Sequence, residues 1–118
     1  MNIESYRNYC ISLSGVTESF PFGENTLVFK VMNKMFALTD VEKFEFINLK
    51  CEPEKAILLR EQYEGISPGW HMSKKHWNSV KLNSDIDDKL LKELVIHSYE
   101  LVLESLPNKL KEELKLRS

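Results

Sequence analysis

Apolar residues near the N-terminus recur at three- and four-residue steps, the spacing of one helical face: Ile3, Tyr6, Cys10 and Leu13. Asn2 is suited to cap the start of this helix, and Gly15 follows its end, where a left-handed residue is easily placed. Proline and glycine then interrupt the pattern within TESFPFGEN, which predicts a short strand leading into a loop. Cys10 faces the core in this interpretation and is a poor candidate for a catalytic thiol.

Strand-like alternation dominates the next part of the chain. LVFKV alternates, and MFALT follows after a short turn in which Asn33 can tolerate a positive φ, so these two segments predict a β-hairpin. FEFINLKC predicts a third strand with two faces, one formed by Ile47, Leu49 and Cys51 and the other by Phe44, Phe46, Asn48 and Lys50.

The second half of the chain predicts further helices around a second hairpin. Pro53, between two glutamates, suits the first turn of a helix that Gly65 would stop. ISPGWHMSKKHWNSVKL has strand-like residues on either side of a polar, basic centre, which predicts a hairpin. Ser84 or Asp85 then caps a long helix, whose inward stripe comprises Ile86, Leu90, Leu91, Leu94, Val95, His97, Ser98, Leu101 and Val102.

The order of these elements predicts an α+β fold, because strands and helices do not alternate regularly as they do around a parallel sheet. KLKEELKL adds a short charged helix after Pro107. We expect a single compact domain over residues 1–118. In that domain an antiparallel sheet of about five to six strands packs against the helices.

Composition limits the classes of partner and location. The chain has 42% hydrophobic and 29% charged residues, as soluble globular domains do, and a formal net charge of −2. A net-acidic chain has no global field that draws it to DNA or to an anionic membrane, so such binding requires a local basic patch. No apolar run approaches the roughly 20 residues of a membrane span, and the N-terminus lacks the pattern of a signal peptide. We therefore expect a cytoplasmic monomer with no membrane association and with reduced thiols at Cys10 and Cys51.

Residues 70–77 read WHMSKKHW and carry most of the candidate chemistry. Their lysines and histidines could contact phosphates, and an exposed tryptophan could stack on a base, a contact worth about 1–3 kcal/mol. The candidate nucleic-acid-binding residues are Trp70, His71, Lys74, Lys75, His76, Trp77 and Lys81. The alternative is structural, since tryptophans flanking a hairpin usually pack into the core and lysines at its tip are usually solvated. On opposite strands, one tryptophan can be buried while the other faces a groove.

The spacing of residues does not support metal binding or catalysis. His71 and His76 are five residues apart, which fits neither a helical nor a strand pair of metal ligands, and no third ligand is evident. His97 and Ser98 are adjacent on the predicted long helix, so their side chains point about 100° apart and cannot form a base–nucleophile couple. Neither a G-x-S-x-G elbow nor an H-E-x-x-H motif occurs. We expect no metal site, no cofactor and no enzymatic activity.

Three segments, in this order and spacing, resemble the MmcQ/YjbR family of small bacterial proteins: FPFGENTLVFKVMNKMFAL, INLKCEPEKAILLREQYEGISPGWHMSKKHWNSVKL and IHSYELVLESLP. The resemblance covers almost the whole chain, and PGWHMSKKHWNSV is its most specific part. It implies a fold similar to CyaY-like proteins and to the double-wing DNA-binding domain at the C-terminus of the phage factor MotA. Met32 and Asn33 depart from the family, in which glycines are common at the first hairpin. The iron binding that a CyaY-like fold would suggest is not supported, because the first helix lacks an acidic ridge.

Two hypotheses about function follow. Members of the family that the chain resembles are commonly labelled DNA-binding proteins, and the basic second hairpin is where such binding would occur. With three or four cations on phosphates the salt slope would be only about −3, so binding would be weak and salt-sensitive. The alternative is a protein- or small-molecule-binding module without nucleic-acid activity, in which the FPFGEN loop and the Trp70–Trp77 hairpin form an apolar cleft. Exposure of both tryptophans around a concave, uncharged pocket would favour this alternative.

Overall fold

The computed structural model describes residues 1–117, which form four helices and six strands. The helices are α1 (Ile3–Ile11), α2 (Pro53–Gln62), α3 (Asp88–Ser105) and α4 (Asn108–Arg117). The strands are β1 (Val16–Ser19), β2 (Thr26–Val31), β3 (Lys34–Asp40), β4 (Phe46–Lys50), β5 (Ile66–Pro68) and β6 (Trp77–Lys81). The predicted α+β class is confirmed.

All six strands belong to one antiparallel sheet with the order β1-β2-β3-β4-β6-β5. Both predicted hairpins are present, β2–β3 and β5–β6, although β5 has only three residues. Because side chains alternate along a strand, each strand turns every second residue toward the helices. The core between the sheet and the helices includes Leu27, Phe29, Ala37, Ile47, Leu49 and Val80 from the strands and Leu91, Val95, Tyr99 and Val102 from α3.

Side chains of α3 also fix this helix to the sheet through hydrogen bonds. Ser98 is fully buried; its Oγ accepts from the Lys50 backbone N–H at 2.9 Å and donates to the Phe36 carbonyl at 2.5 Å. The Tyr99 hydroxyl donates to the Ser14 carbonyl, which links α3 to the loop after α1. The two Ser98 bonds satisfy backbone groups of β3 and β4 that their ladder leaves unpaired, since these strands pair only over residues 37–39 and 47–49.

Two sequence predictions are wrong in detail. The N-cap of α3 is Asp87, because Ser84 and Asp85 are used in the preceding turn, where Asp85 accepts from the Glu64 and Gly65 N–H groups. Phe44 does not share a face with Phe46. Its φ of 43° turns its ring to the helix side of the sheet, where the ring centroid lies 5.6 Å from that of Tyr6.

The β2–β3 turn shows why glycine suits this position. Both of its central residues adopt positive φ, 48° at Met32 and 72° at Asn33, as a type I′ hairpin turn requires. The prediction for Asn33 is confirmed. Met32 accepts the strained conformation while its side chain packs into the core, close to Gly15. Within the described residues, no helix combines the length and apolar character that crossing a membrane requires.

An aromatic groove on the open face of the sheet

The face of the sheet opposite the helices, here called the open face, carries one continuous row of paired residues. Val28, Leu38, Asn48 and Ser79 are successive cross-strand partners on β2, β3, β4 and β6. Asn48 and Ser79 are nearly inaccessible to solvent, and Leu38 is half-buried. A polar pair on β4 and β6 therefore continues the apolar pair formed by Val28 and Leu38 on β2 and β3.

Two loops rise beside this row and make the surface concave. Phe22, in the loop between β1 and β2, and Trp70, in the loop between β5 and β6, are 65% and 63% exposed. The concavity between them, here called the open-face groove, has a volume of about 580 Å³. It is lined by Phe22, Thr26, Met35, Leu38, Thr39, Asp40, Lys43, Glu45, Phe46, Asn48, Trp70, His71 and Met72. Three aromatic residues, Phe22, Phe46 and Trp70, and two methionines, Met35 and Met72, are among the lining residues.

The backbone of Trp70 is held by the central polar pair. The Trp70 N–H donates to Ser79 Oγ at 2.8 Å, and the Trp70 carbonyl accepts from Asn48 Nδ2 at 3.2 Å. Ser79 Oγ in turn donates to Asn48 Oδ1. Both buried polar side chains are therefore hydrogen-bonded, as buried polar groups in folded proteins generally are. Hydrogen bonds thus anchor the backbone that carries the exposed indole.

The rest of the loop over residues 69–76 is fixed by close packing and by one strained residue. The Gly69 N–H donates to the Trp77 carbonyl at 2.9 Å, and a Cβ at Gly69 would lie only 2.7 Å from Trp77 Cβ, so this approach requires glycine. His71 adopts a φ of 57°, which brings its ring centroid to 4.8 Å from that of Trp70. Arg60 of α2 donates to the Lys74 carbonyl and holds the far side of the loop.

A smaller compartment adjoins the groove on the β5 side. Its volume is about 200 Å³, and it is lined by Glu45, Phe46, Gly65, Ser67, Pro68, Trp70, Ser79 and Lys81. Three of these residues, Glu45, Phe46 and Trp70, also line the open-face groove. The smaller space, here called the side compartment, therefore adjoins the groove along these three residues.

The structure separates the residues predicted from sequence into four groups. Trp70 and His71 line the groove, whereas Lys74, Lys75 and His76 are exposed on the loop and do not line it. Trp77 is the first residue of β6 and is 7% exposed, with the Lys50 ammonium 6.0 Å from its ring centroid. Lys81 is the last residue of β6, so about 13 Å of strand separates it from Trp77, and it lines the side compartment.

The interpretation of the sequence missed most of the groove floor. The alternative hypothesis included Phe22, but Met35 and Leu38 were not identified, because isolated apolar residues in strands normally indicate core. Met72, in the loop between β5 and β6, was not identified either. Asn48 gave the one available signal, because it is a polar residue between the apolar Ile47 and Leu49 of β4 and lies on the face opposite the helices.

Ionisable groups elsewhere in the domain serve the fold. Burial raises the pKa of the Cys10 thiol to about 12 and also raises that of Cys51, so both free thiols stay protonated near neutral pH. His97 Nε2 accepts a hydrogen bond from the Glu52 backbone N–H at 3.2 Å, and burial lowers the pKa of its imidazole. Across residues 1–117, no three His, Cys, Asp or Glu side chains are arranged to hold a metal ion.

The fold and groove define a class of small α+β domain, in which one face of an antiparallel sheet packs on helices and the other carries an aromatic concavity. The YjbR family model matches residues 11–101, and the chain belongs to that family. It is 38% identical to the uncharacterised protein YbdF of Escherichia coli O157:H7, covering 87% of this chain and 85% of the relative. It is 32% identical to the uncharacterised protein YjbR of Escherichia coli K12, covering 91% and 92%.

Solved structures agree with this assignment. The crystal structure of Deinococcus radiodurans DR2400, described as a DUF419 domain, aligns with a TM-score of 0.89 and 37% identity, covering 97% of this chain and 88% of that one. A protein from Pseudomonas syringae aligns with a TM-score of 0.73 and 28% identity, covering 86% and 98%. These alignments extend the shared fold over nearly the whole chain.

Proposed function

We propose that this protein is a small-molecule-binding module whose ligand occupies the open-face groove. The observation that carries this proposal is the pair of exposed aromatic residues, Phe22 and Trp70, on either side of a concavity of about 580 Å³. Ligand sites typically have volumes of about 300–1,000 Å³ and combine apolar walls with a few placed polar groups. The groove has both properties.

Solvation and anchoring favour a ligand in this position. Two large rings exposed in a 118-residue protein leave apolar surface in water, and a ligand that covers it gains roughly 25 cal/mol per Å². Met35 and Met72 adapt to the shape of a ligand because their side chains are flexible and polarizable. Trp70 is already held by Asn48 and Ser79, so little ordering of this wall would accompany binding.

The charges that line the groove favour a small ligand over duplex DNA. Asp40, Lys43 and Glu45 line it, which places two carboxylates and one ammonium along its wall. A phosphate backbone would meet these carboxylates in the groove, and like charges brought together oppose binding. A compact molecule with an aromatic or apolar body meets no such penalty.

The proposal is tested by NMR titration with indole, a neutral aromatic probe of suitable size. We expect ¹H–¹⁵N shift changes confined to the open face, with Phe22→Ala and Trp70→Ala each weakening binding about three- to tenfold, as the loss of one aromatic contact predicts. Phe20→Ala is the matched control, because Phe20 is 47% exposed in the same loop but does not line the groove. Shift changes confined to the helices, or none up to the solubility limit of indole, would contradict the proposal.

We propose weak DNA binding through the loop over residues 69–76 as the second candidate function. The specific observation in its favour is that Lys74, Lys75 and His76 are exposed beside Trp70. Within residues 1–117 neither lysine side chain forms an ion pair or a hydrogen bond. A loop of this kind can contact phosphates while a ring stacks on a base, and the affinity would fall steeply with salt.

Fluorescence anisotropy at low salt, with duplex and single-stranded oligonucleotides, tests this second candidate. We expect Lys74→Glu with Lys75→Glu to abolish binding, and a salt slope near −3 for the unmodified protein. The control is Lys109→Glu with Lys115→Glu, which makes the same change in net charge at exposed sites on α4. Binding that is absent at low salt, or equally sensitive to both charge reversals, would exclude a specific role for the loop.

A further inference from the structure

The side compartment contains two opposite charges, Glu45 and Lys81, that have no partner within the described residues. Both residues line the compartment and both are exposed. The ion pairs found across residues 1–117 are Met1–Asp88 and Arg7–Glu18, and within these residues neither the Glu45 nor the Lys81 side chain forms a hydrogen bond. The two charges are therefore available to a ligand.

The backbone brings these two residues to the same end of adjacent strands. Lys81 is the cross-strand partner of Phe46, the residue that follows Glu45. The Leu82 N–H donates to the Glu45 carbonyl at 2.9 Å, so the pairing continues one residue beyond β4. Glu45 is thus paired with Leu82, and Lys81 with Phe46, so the two charged residues are offset by one position on neighbouring strands. Both line the side compartment, which therefore has one ammonium and one carboxylate on its wall.

Trp70 and Phe46 line both the compartment and the groove, so a single molecule can extend from one space into the other. The groove side is aromatic and rich in methionine, and the compartment side offers one positive charge, one negative charge and the Ser67 hydroxyl. A ligand complementary to both has an aromatic body joined to a head group that carries both an ammonium and a carboxylate.

We propose that the ligand of the open-face groove is an aromatic zwitterion of the amino-acid type. Its ring lies between Phe22 and Trp70, its carboxylate faces Lys81, and its ammonium faces Glu45. The inference rests on the proposed small-molecule function and specifies the class of ligand. Charge complementarity at the compartment distinguishes this ligand from a purely apolar one and from a dianionic one.

Four probes with the same ring separate these possibilities: indole, tryptamine, indole-3-propionate and L-tryptophan. Because the two charges are solvent-exposed, each matched charge should improve affinity by only about two- to fivefold. We therefore expect L-tryptophan to bind about tenfold more tightly than indole, and the two singly charged probes to lie between them. Isothermal titration calorimetry at low ionic strength measures all four affinities, with NMR shifts on the open face confirming the site.

Two variants test which charged group of the ligand faces Lys81 and which faces Glu45. Lys81→Met should weaken L-tryptophan and indole-3-propionate while leaving tryptamine and indole within twofold, and Glu45→Gln should weaken L-tryptophan and tryptamine only. Both residues are exposed, so neither change threatens the core. If indole binds at the open face and L-tryptophan binds no better, the zwitterion inference is overturned while the small-molecule function stands. If none of the four probes binds there, the proposed function itself fails.

Discussion

Two bulky residues in the left-handed backbone region flank the groove, Phe44 with a φ of 43° and His71 with a φ of 57°. Such conformations cost roughly 1–3 kcal/mol for residues other than glycine, so the surrounding structure has to hold them. Phe44 is held by its ring contact with Tyr6, and the reversal at Phe44 leaves Glu45 and Phe46 to line the groove. His71 is held against the Trp70 ring on the opposite wall. Two locally strained residues therefore shape the part of the groove lined by Glu45 and Phe46 and the part lined by Trp70 and His71.

Ser98 is the residue at which removal of a single hydroxyl should lower the free energy of unfolding most for the size of the group removed. Ser98→Ala leaves the Lys50 N–H and the Phe36 carbonyl without their hydrogen bonds in a fully buried position. We expect the free energy of unfolding to fall by about 2 kcal/mol, the usual penalty for unsatisfied buried polar groups. Urea unfolding followed by circular dichroism measures this change.

Ser105→Ala provides the matched control on the same helix. Ser105 is exposed, and its hydroxyl donates only to the Val102 carbonyl within α3. This change should alter the unfolding free energy by less than about 0.5 kcal/mol, as surface substitutions usually do. An equal loss in the two variants would mean that the hydrogen bonds between α3 and the sheet contribute nothing specific.

At the scale of elements, the start of α2 depends on two side chains that titrate. The Glu52 carboxylate caps the helix by accepting from the Lys55 and Glu54 N–H groups, and these bonds lower its pKa. His97 of α3 accepts from the Glu52 N–H, and burial first and the Lys55 ammonium second lower the pKa of its imidazole, while Glu100 and the other nearby carboxylates raise it. Helices α2 and α3 are thus joined through a neutral histidine.

This arrangement predicts a loss of stability below about pH 6.5. The pKa of His97 is lower in the folded than in the unfolded chain, so the unfolded chain binds more protons as the pH falls. The stabilisation is complete above the unfolded pKa and decreases below it. We expect the urea midpoint to decrease between pH 7.5 and pH 5.5, above the range in which Glu52 takes up protons.

Replacement of histidines identifies the group responsible. His97→Gln should flatten the decrease over that range, whereas His76→Gln, on an exposed loop residue, should leave it in place. Thermal unfolding across the same pH series provides an independent measurement. A slope that persists in His97→Gln would assign the pH dependence to another group.

The helices and strands also show how much of the structure the sequence predicts. Alternation in LVFKV and MFALT, the cap at Asn2 and the proline at the start of α2 are local signals, and each identified its element correctly. The face on which Phe44 lies was predicted wrongly, because periodicity assumes a regular backbone, which a positive φ interrupts. The alternative hypothesis paired the FPFGEN loop with the Trp70–Trp77 hairpin, but the floor of the groove was not predicted, because it forms only where those loops meet over the same face of the sheet. Such a meeting depends on tertiary packing, which local patterns do not contain.

For the molecule as a whole, the two candidate functions occupy different parts of the hairpin formed by β5 and β6. Trp70 and His71 turn to the groove, whereas Lys74 and Lys75 lie farther along the loop, on the segment that Arg60 ties to α2 through the Lys74 carbonyl. Lys81 lies at the opposite end of β6 and lines the side compartment. Residues that are close together in sequence are therefore divided between two surfaces.

This division predicts that the two activities can be separated by mutation. Lys74→Glu with Lys75→Glu should leave the affinity for L-tryptophan within twofold of the unmodified protein, because neither lysine lines the groove or the compartment. At about 0.1 M salt the added carboxylates act on the site only through solvent, where charges more than about 10 Å apart are largely screened. Trp70→Ala, in contrast, should weaken both small-molecule binding and any stacking on oligonucleotides. Calorimetry measures the L-tryptophan affinity of both variants, and anisotropy measures their oligonucleotide affinity. A large loss of L-tryptophan affinity in the charge-reversed variant would show that the loop and the groove act as one site.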